Sequence, residues 1–227
     1  MLRFIAFFFC FFVTSAEAAP QQLKLVYHAQ LEGQPFATVT ETFSQKDGRY
    51  RIESVTEGIG VYALFGKRRL VSEGEVTAEG LRPLHFEQQQ GNKASRTVKA
   101  DFDWASGTLT MRYKGKTRTD KLEPGAQDIL SFSYQFMYLA PLAKDVVLPV
   151  TTGKRLRVYH YQIAERDVPI AAEAGNYRTV HLVNAEGGDD EKQFWLGIEA
   201  HYVPIRISMK DENGAHIVQT LTSLHAQ

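Results

Sequence analysis

Thr97-Val98-Lys99-Ala100-Asp101-Phe102-Asp103-Trp104-Ala105-Ser106-Gly107-Thr108-Leu109-Thr110-Met111-Arg112-Tyr113-Lys114 alternates apolar and polar residues almost without a break. Val98, Ala100, Phe102 and Trp104 oppose Thr97, Lys99, Asp101 and Asp103. Beyond Ser106-Gly107, Leu109, Met111 and Tyr113 oppose Thr110, Arg112 and Lys114. Extended chain turns successive side chains to opposite faces, so this stretch reads as two half-buried antiparallel strands and a turn. Leu23, Leu25, Tyr27, Ala29 and Leu31 repeat the pattern, as do Val203, Ile205, Ile207 and Met209. Lys46-Asp47-Gly48, Ala78-Glu79-Gly80, Gly91-Asn92, Gly187-Gly188-Asp189 and Glu212-Asn213-Gly214 separate such runs with residues that tolerate positive φ. Ten or more strands at this spacing predict a mainly antiparallel all-β fold. With so few plausible edges, a strongly curved sheet or a closed, β-barrel-like domain is expected.

One segment breaks the rhythm. Asp128 precedes the apolar-rich run Ile129 to Ala140, and Pro141 follows it. Ile129, Phe132, Phe136 and Ala140 would form a helical stripe, whereas Ser131, Ser133 and Gln135 against Phe132, Tyr134 and Phe136 also fit a strand. Asp is a good helix N-cap and Pro a good stop, so the end signals favour one helix near 128–140. Apolar on nearly every side, it is expected to be buried against the concave side of the sheet. A shorter helical turn is expected at Gly60-Val61-Tyr62-Ala63-Leu64-Phe65.

At the amino terminus, Arg3 leads into the apolar run Phe4 to Val13, followed by Thr14, Ser15 and the triplet Ala16-Glu17-Ala18. A cationic start, a short apolar core and an A-x-A site read as a secretory signal peptide spanning residues 1–18. The run is about half the roughly twenty apolar residues that a spanning helix needs. Cleavage would leave residues 19–227 as one domain, exported to the periplasm, with no transmembrane segment. It would also remove Cys10, the only cysteine, and with it any disulfide or thiol chemistry. Lys and Arg balance Asp and Glu at 26 each, which argues against nucleic acid as a partner.

Signals for chemistry are weak. Asp101-Phe102-Asp103-Trp104-Ala105-Ser106-Gly107 resembles a calcium loop but has Ala105 and Ser106 where a ligand and a glycine belong, so a hairpin turn is expected. Seven histidines show neither the i, i+4 spacing nor the cysteine partner of a zinc site, and no metal or other cofactor is expected. His160, in register with Leu156 and Val158, is a candidate core residue. Ser72, Ser131 and Ser133 lack a nucleophile elbow, and Glu73, Glu75 and Asp128 give no sign of converging, so no catalytic residue is assigned.

Two constellations are candidates for binding. Arg112, Lys114, Lys116 and Arg118 alternate on a hairpin and would either guard a sheet edge or meet anionic headgroups or a partner. Phe194-Trp195-Leu196-Gly197 and His201-Tyr202-Val203-Pro204-Ile205-Arg206 are the second. Strand aromatics commonly serve packing. The alternative is that Trp195 and Arg206 join Tyr159, Tyr161 and Arg157 at a pocket mouth, with Phe132 and Phe136 of the helix behind it.

Tyr62-Ala63-Leu64-Phe65, Ser72-Glu73-Gly74, Gly80-Leu81-Arg82-Pro83, Phe102-Asp103, Pro124-Gly125-Ala126-Gln127-Asp128-Ile129-Leu130-Ser131, Trp195 and Pro204-Ile205-Arg206 follow one another in an order that resembles the exported bacterial proteins of domain of unknown function 3108. The resemblance covers nearly all of residues 19–227. It implies a β-barrel-like exported domain and brings no catalytic residue with it. In plan it is also similar to lipoprotein-carrier folds, a curved sheet around helices, an analogy of architecture alone. The expected function is non-enzymatic binding of an apolar or amphipathic, lipid-like ligand. An interaction module for an envelope protein is the alternative, and a hydrolase the third reading.

Overall fold

The computed structural model describes residues 19–91, 96–142, 145–186, 192–211 and 213–227. The signal-peptide reading of residues 1–18 and the Gly187-Gly188-Asp189 turn lie outside them. The alternating runs become β1 (Gln22–Leu31), β2 (Gln34–Lys46), β3 (Arg49–Gly58), β4 (Arg68–Thr77), β5 (Gly80–Gln90), β6 (Val98–Asp103), β7 (Thr108–Tyr113) and β8 (Lys116–Lys121). After β9 (Gln127–Asp128) and a short α1 (Ser131–Gln135) come β10 (Val146–Thr151), β11 (Leu156–Ala172), β12 (Gly175–Asn184), β13 (Gln193–Gly197), β14 (Pro204–Lys210) and β15 (His216–Ala226).

All the strands belong to one sheet, in the order β8-β7-β6-β5-β4-β3-β2-β1-β15-β14-β13-β12-β11-β10-β9. Its neighbours are antiparallel apart from the parallel pair β9 and β10. Two meanders are joined where the first strand meets the last, from Leu23 opposite Ala226 to Leu31 opposite Ile217. The expected closed barrel is not formed, because the ladder ends at β8 on one side and β9 on the other. The sequences of these ends explain this: β8 reads Lys-Thr-Arg-Thr-Asp-Lys, exposed nearly throughout, and β9 is two residues long. Neither offers a long half-apolar edge for a further strand.

A single sheet must have its apolar face covered, and the segment around α1 covers it. Leu130, Tyr134 and Met137 join a core with Leu25, Val39, Phe43 and Ile52 of the first meander. Phe132 and Phe136 join a second core with Tyr161, Leu182, Phe194 and Ile207 of the other meander. The α-helix is shorter than the span 128–140 expected for it. Beyond Gln135 the turns close three residues back, with Met137, Tyr138 and Leu139 N–H donating to Tyr134, Gln135 and Phe136 carbonyls. Asp128 lies in β9 and is not the N-cap, a position held by Leu130, but its Oδ1 accepts from Leu130 and Ser131 N–H at 2.8 and 2.9 Å and ties down the start of the segment. The short turn at Gly60–Phe65 is present as a 3-10 helix.

Across the covered face, the β10–β11 turn reaches β5 to β7. Thr151 Oγ1 lies 3.3 Å from Met111 Sδ, and buried Gly153, at φ +76°, sits against Val98 and Phe86. A Cβ on Gly153 would approach Val98 Cγ1 to 2.5 Å, whereas Gly48, at φ +72°, has nothing within 4 Å. Gly48→Ala should therefore cost only its backbone strain, about 1 kcal/mol, and Gly153→Ala that plus repacking, roughly 2–4 kcal/mol. Urea unfolding midpoints of the two variants measure the difference.

Candidate functional site

Strand parity sorts the expected binding residues onto two faces. Tyr159 and Tyr161 alternate inward on β11 and stack with centroids 6.3 Å apart. Phe132 meets Tyr161 at 5.3 Å, and Phe132, Phe136 and Phe194 pack edge-to-face at 5.2–5.4 Å. Arg157 has the parity of the two tyrosines and is exposed, while Phe136 is fully buried behind Phe132. Trp195 goes the other way. Its neighbours Phe194 and Leu196 point into the core, so Trp195 stacks on His181 at 4.2 Å on the opposite face, with Arg206 over its ring at 5.9 Å. The structure thus brings Phe132, Tyr159, Tyr161 and Arg157 to one face and leaves Trp195 and Arg206 on the other as a strand-to-strand stack.

Phe132, Tyr159 and Tyr161 line a cleft of about 150 Å³, together with Ile129, Val150, Met209 and two lysines, Lys192 and Lys210. Lys192 precedes β13 with the parity of Phe194, and its ammonium lies 5.2 Å from the Phe194 ring centroid. Burial pushes its pKa down to about 8; the charge of Glu41 partly offsets this and that of Arg68 adds to it. Glu41 accepts from Tyr134 Oη at 2.9 Å and Ser54 Oγ at 3.0 Å. Burial raises its pKa against those hydrogen bonds and the Lys192 charge. An apolar, aromatic cleft with a poorly solvated cation can hold an aromatic or chain-like group and pair its acidic end.

Lys192 escaped the sequence reading because it follows the charged stretch Asp189-Asp190-Glu191 and looks like turn polarity. Its position two residues before Phe194 was the available signal. His160 is half-buried and faces away from the cleft, opposite Val147 and 3.6 Å from Asp145, because the inward parity of β11 belongs to the tyrosines.

The basic hairpin does not present one charged face. Its turn is Lys114-Gly115, both at positive φ, so Tyr113 pairs with Lys116 and Arg112 with Thr117. Arg112 therefore shares a face with Lys99 and pairs with Asp101, while Lys116 and Arg118 lie on the other face. Asp103 Oδ1 accepts from Ala105 and Ser106 N–H, both at 3.0 Å, as a hairpin turn requires. Ser72 and Asp128 do converge, at 2.6 Å, with Tyr50 Oη 3.0 Å from Ser72 Oγ. Both are completely buried, and burial raises the Asp128 pKa despite its hydrogen bonds from Ser72, Ser131 and Leu130. The arrangement anchors α1 and gives a substrate no access.

Fold and cleft define an all-β protein of one sheet with an aromatic site on its covered face. Residues 25–222 match the model of the family described as Protein of unknown function (DUF3108), and the chain belongs to that family. No curated protein matches the chain. Among the described residues no helix is long and apolar enough to cross a membrane, which says nothing of crossing by strands.

The lowered Lys192 pKa has a definite sign. Between about 8 and the free-lysine value of 10.5, the unfolded chain holds more protons than the folded one, so this group makes stability rise with pH across that window. Lys192→Met should remove that rise. Urea midpoints of wild type and variant between pH 7 and 11 test it, the expected signature being a pH-dependent difference confined to the window above 8.

Proposed function

We propose that this protein is an exported, non-enzymatic binding protein for an amphipathic ligand with an acidic end, acting in the periplasm. The reading rests on one observation, the inward Lys192 beside Phe132, Tyr159 and Tyr161 in the cleft. About 150 Å³ matches a benzene-sized group or the tip of an acyl chain rather than a whole lipid. The ligand's acid pairs with Lys192, and the rest of its chain lies outward past Met209. Export agrees with the pattern of residues 1–18. We further take the sheet to wrap around α1 in a barrel-like manner. The approach of Thr151 to Met111 and of Gly153 to Val98 supports this, since it joins strands far apart in the ladder.

A second reading, an interaction module of the cell envelope, draws on β8. Among the described residues it ends the ladder, and its basic, almost wholly exposed sequence deters another copy of itself but could pair with a strand of acidic pattern.

cis-Parinaric acid and its methyl ester discriminate the leading reading by fluorescence titration. The acid should bind, and Lys192→Met should weaken it about tenfold, the size of one lost charge-assisted contact, while leaving the ester unchanged. Acid affinity should also fall as pH rises through 8, where Lys192 loses its proton. Absence of binding by both probes would refute a ligand role for the cleft.

A further inference from the structure

Among the described residues, the most exposed large apolar side chains lie outside the aromatic cleft. The 3-10 helix Gly60–Phe65 buries none of its residues; Val61, Leu64 and Phe65 are 70, 89 and 72% exposed, and Ile59 before it 46%. A loose loop would fold such side chains back, but this one is held. Ile59 N–H donates to Phe36 O at 2.8 Å, Gly66 N–H to Ala63 O at 3.1 Å, and Tyr62 packs edge-on against Phe36 at 5.7 Å. Gln90 Nε2 donates to Phe65 O at 3.2 Å, and Gly91 N–H to Lys67 O at 2.8 Å. The backbone is thus fixed so that Leu64 and Phe65 project outward, a costly display for a surface with no partner.

Gln90 also belongs to the next feature. A cleft of about 260 Å³ is lined by Gln88, Gln90, Arg96, Tyr113, Lys114 and Lys154, with no carboxylate among the described residues of its wall. Lys114 and Lys154 approach the Tyr113 ring from the β7–β8 and β10–β11 turns, at 5.1 and 4.7 Å from its centroid. Two ammonium groups over one ring, with Arg96 in the same cleft wall, offer a site for anions. The neighbouring Lys67 and Arg69 are held by Glu57 and Glu53.

We propose that this end of the sheet is a docking surface for an anionic phospholipid bilayer: Val61, Leu64 and Phe65 enter the interface, and Arg96, Lys114 and Lys154 take lipid phosphates beside them. The pairing of an apolar projection with adjacent cations is what a peripheral membrane contact requires, because neither signal alone anchors a protein firmly. Charge complementarity selects the bilayer's anionic face, and the ≈260 Å³ cleft has the scale of a headgroup rather than of a protein side chain. The lining of this surface shares no residue with the aromatic cleft, and its test does not depend on Lys192.

Co-sedimentation with phosphatidylcholine vesicles, with and without phosphatidylglycerol, provides that test. The wild-type protein should sediment only with the phosphatidylglycerol vesicles, and less so as salt is raised. The pairs Leu64→Ser with Phe65→Ser, and Lys114→Glu with Lys154→Glu, alter exposed side chains and should keep the wild-type melting temperature. Each pair should lower vesicle partitioning at least tenfold. A Phe65→Trp reporter should shift its fluorescence to the blue on anionic vesicles. Equal binding to both vesicle types, unaltered partitioning of the serine pair or an unmoved tryptophan spectrum would overturn the proposal. Binding of glycerol phosphate without any vesicle binding would also overturn it, assigning the cleft to a free solute.

Discussion

A sheet that meets no second sheet has one apolar face to cover, and here residues 126–138 supply most of that cover, with the β10–β11 turn adding to it. The segment is apolar in two directions, with Leu130 and Tyr134 in one core and Phe132 and Phe136 in the other. Covering alone would let it slide. Buried polar contacts fix its position: Gln135 Oε1 accepts from Leu81 N–H at 2.7 Å, Gln135 Nε2 donates to Glu79 O at 2.8 Å, and Gln127 Nε2 donates to Leu81 O at 2.8 Å. Tyr134 and Tyr138 reach Glu41 and Gln45 on β2, each at 2.9 Å. Each bond has a modest net worth, but leaving such a group unmet in the core costs more, so the set specifies one seating.

The same seating builds the cleft. Phe132 and Ile129 form one wall only because Asp128 holds the start of the segment against Ser72 and the Leu130 and Ser131 amides. Glu41 links it to the opposite side, accepting from Tyr134 and sharing the electrostatic environment of Lys192. A raised carboxyl and a lowered ammonium in one interior region reflect the same shortage of water. That shortage moves the Lys192 titration down to about 8, and it would strengthen the pairing with an acid that is proposed for the cleft.

Strands were legible where one face is buried and the other wet, as in β6 and β7, because each position then reports its side. What the pattern leaves open is how strands far apart in sequence relate. Trp195 and Tyr159 both look like pocket aromatics until Phe194 and Leu196 are seen to own the inward parity of β13. Arg112 and Arg118 seem to share a face until the two-residue turn at Lys114-Gly115 sets Arg112 against Thr117. The helix came out shorter than its end signals implied because tertiary contacts, rather than propensity, set the backbone of a segment packed on both sides. Lys192 was hidden for a related reason: a lysine next to a charged turn is ordinarily solvated, and only the cores around it turn it inward.

Closure of the sheet raises the sharpest physical question. A fifteen-strand ladder with two ends must protect both. β9 does so by brevity and by leading directly into α1. β8 relies on polar composition, with Lys116, Arg118 and Lys121 along an exposed strand, the kind of edge that discourages pairing with another copy. The apolar projection at Leu64 and Phe65 has no such guard, although its backbone is held by hydrogen bonds from Ile59, Tyr62 and Gly66 N–H. A chain that charges one vulnerable edge and leaves an apolar turn exposed treats the two surfaces differently. Avoidance of aggregation accounts for the first, and the proposed membrane contact would account for the second.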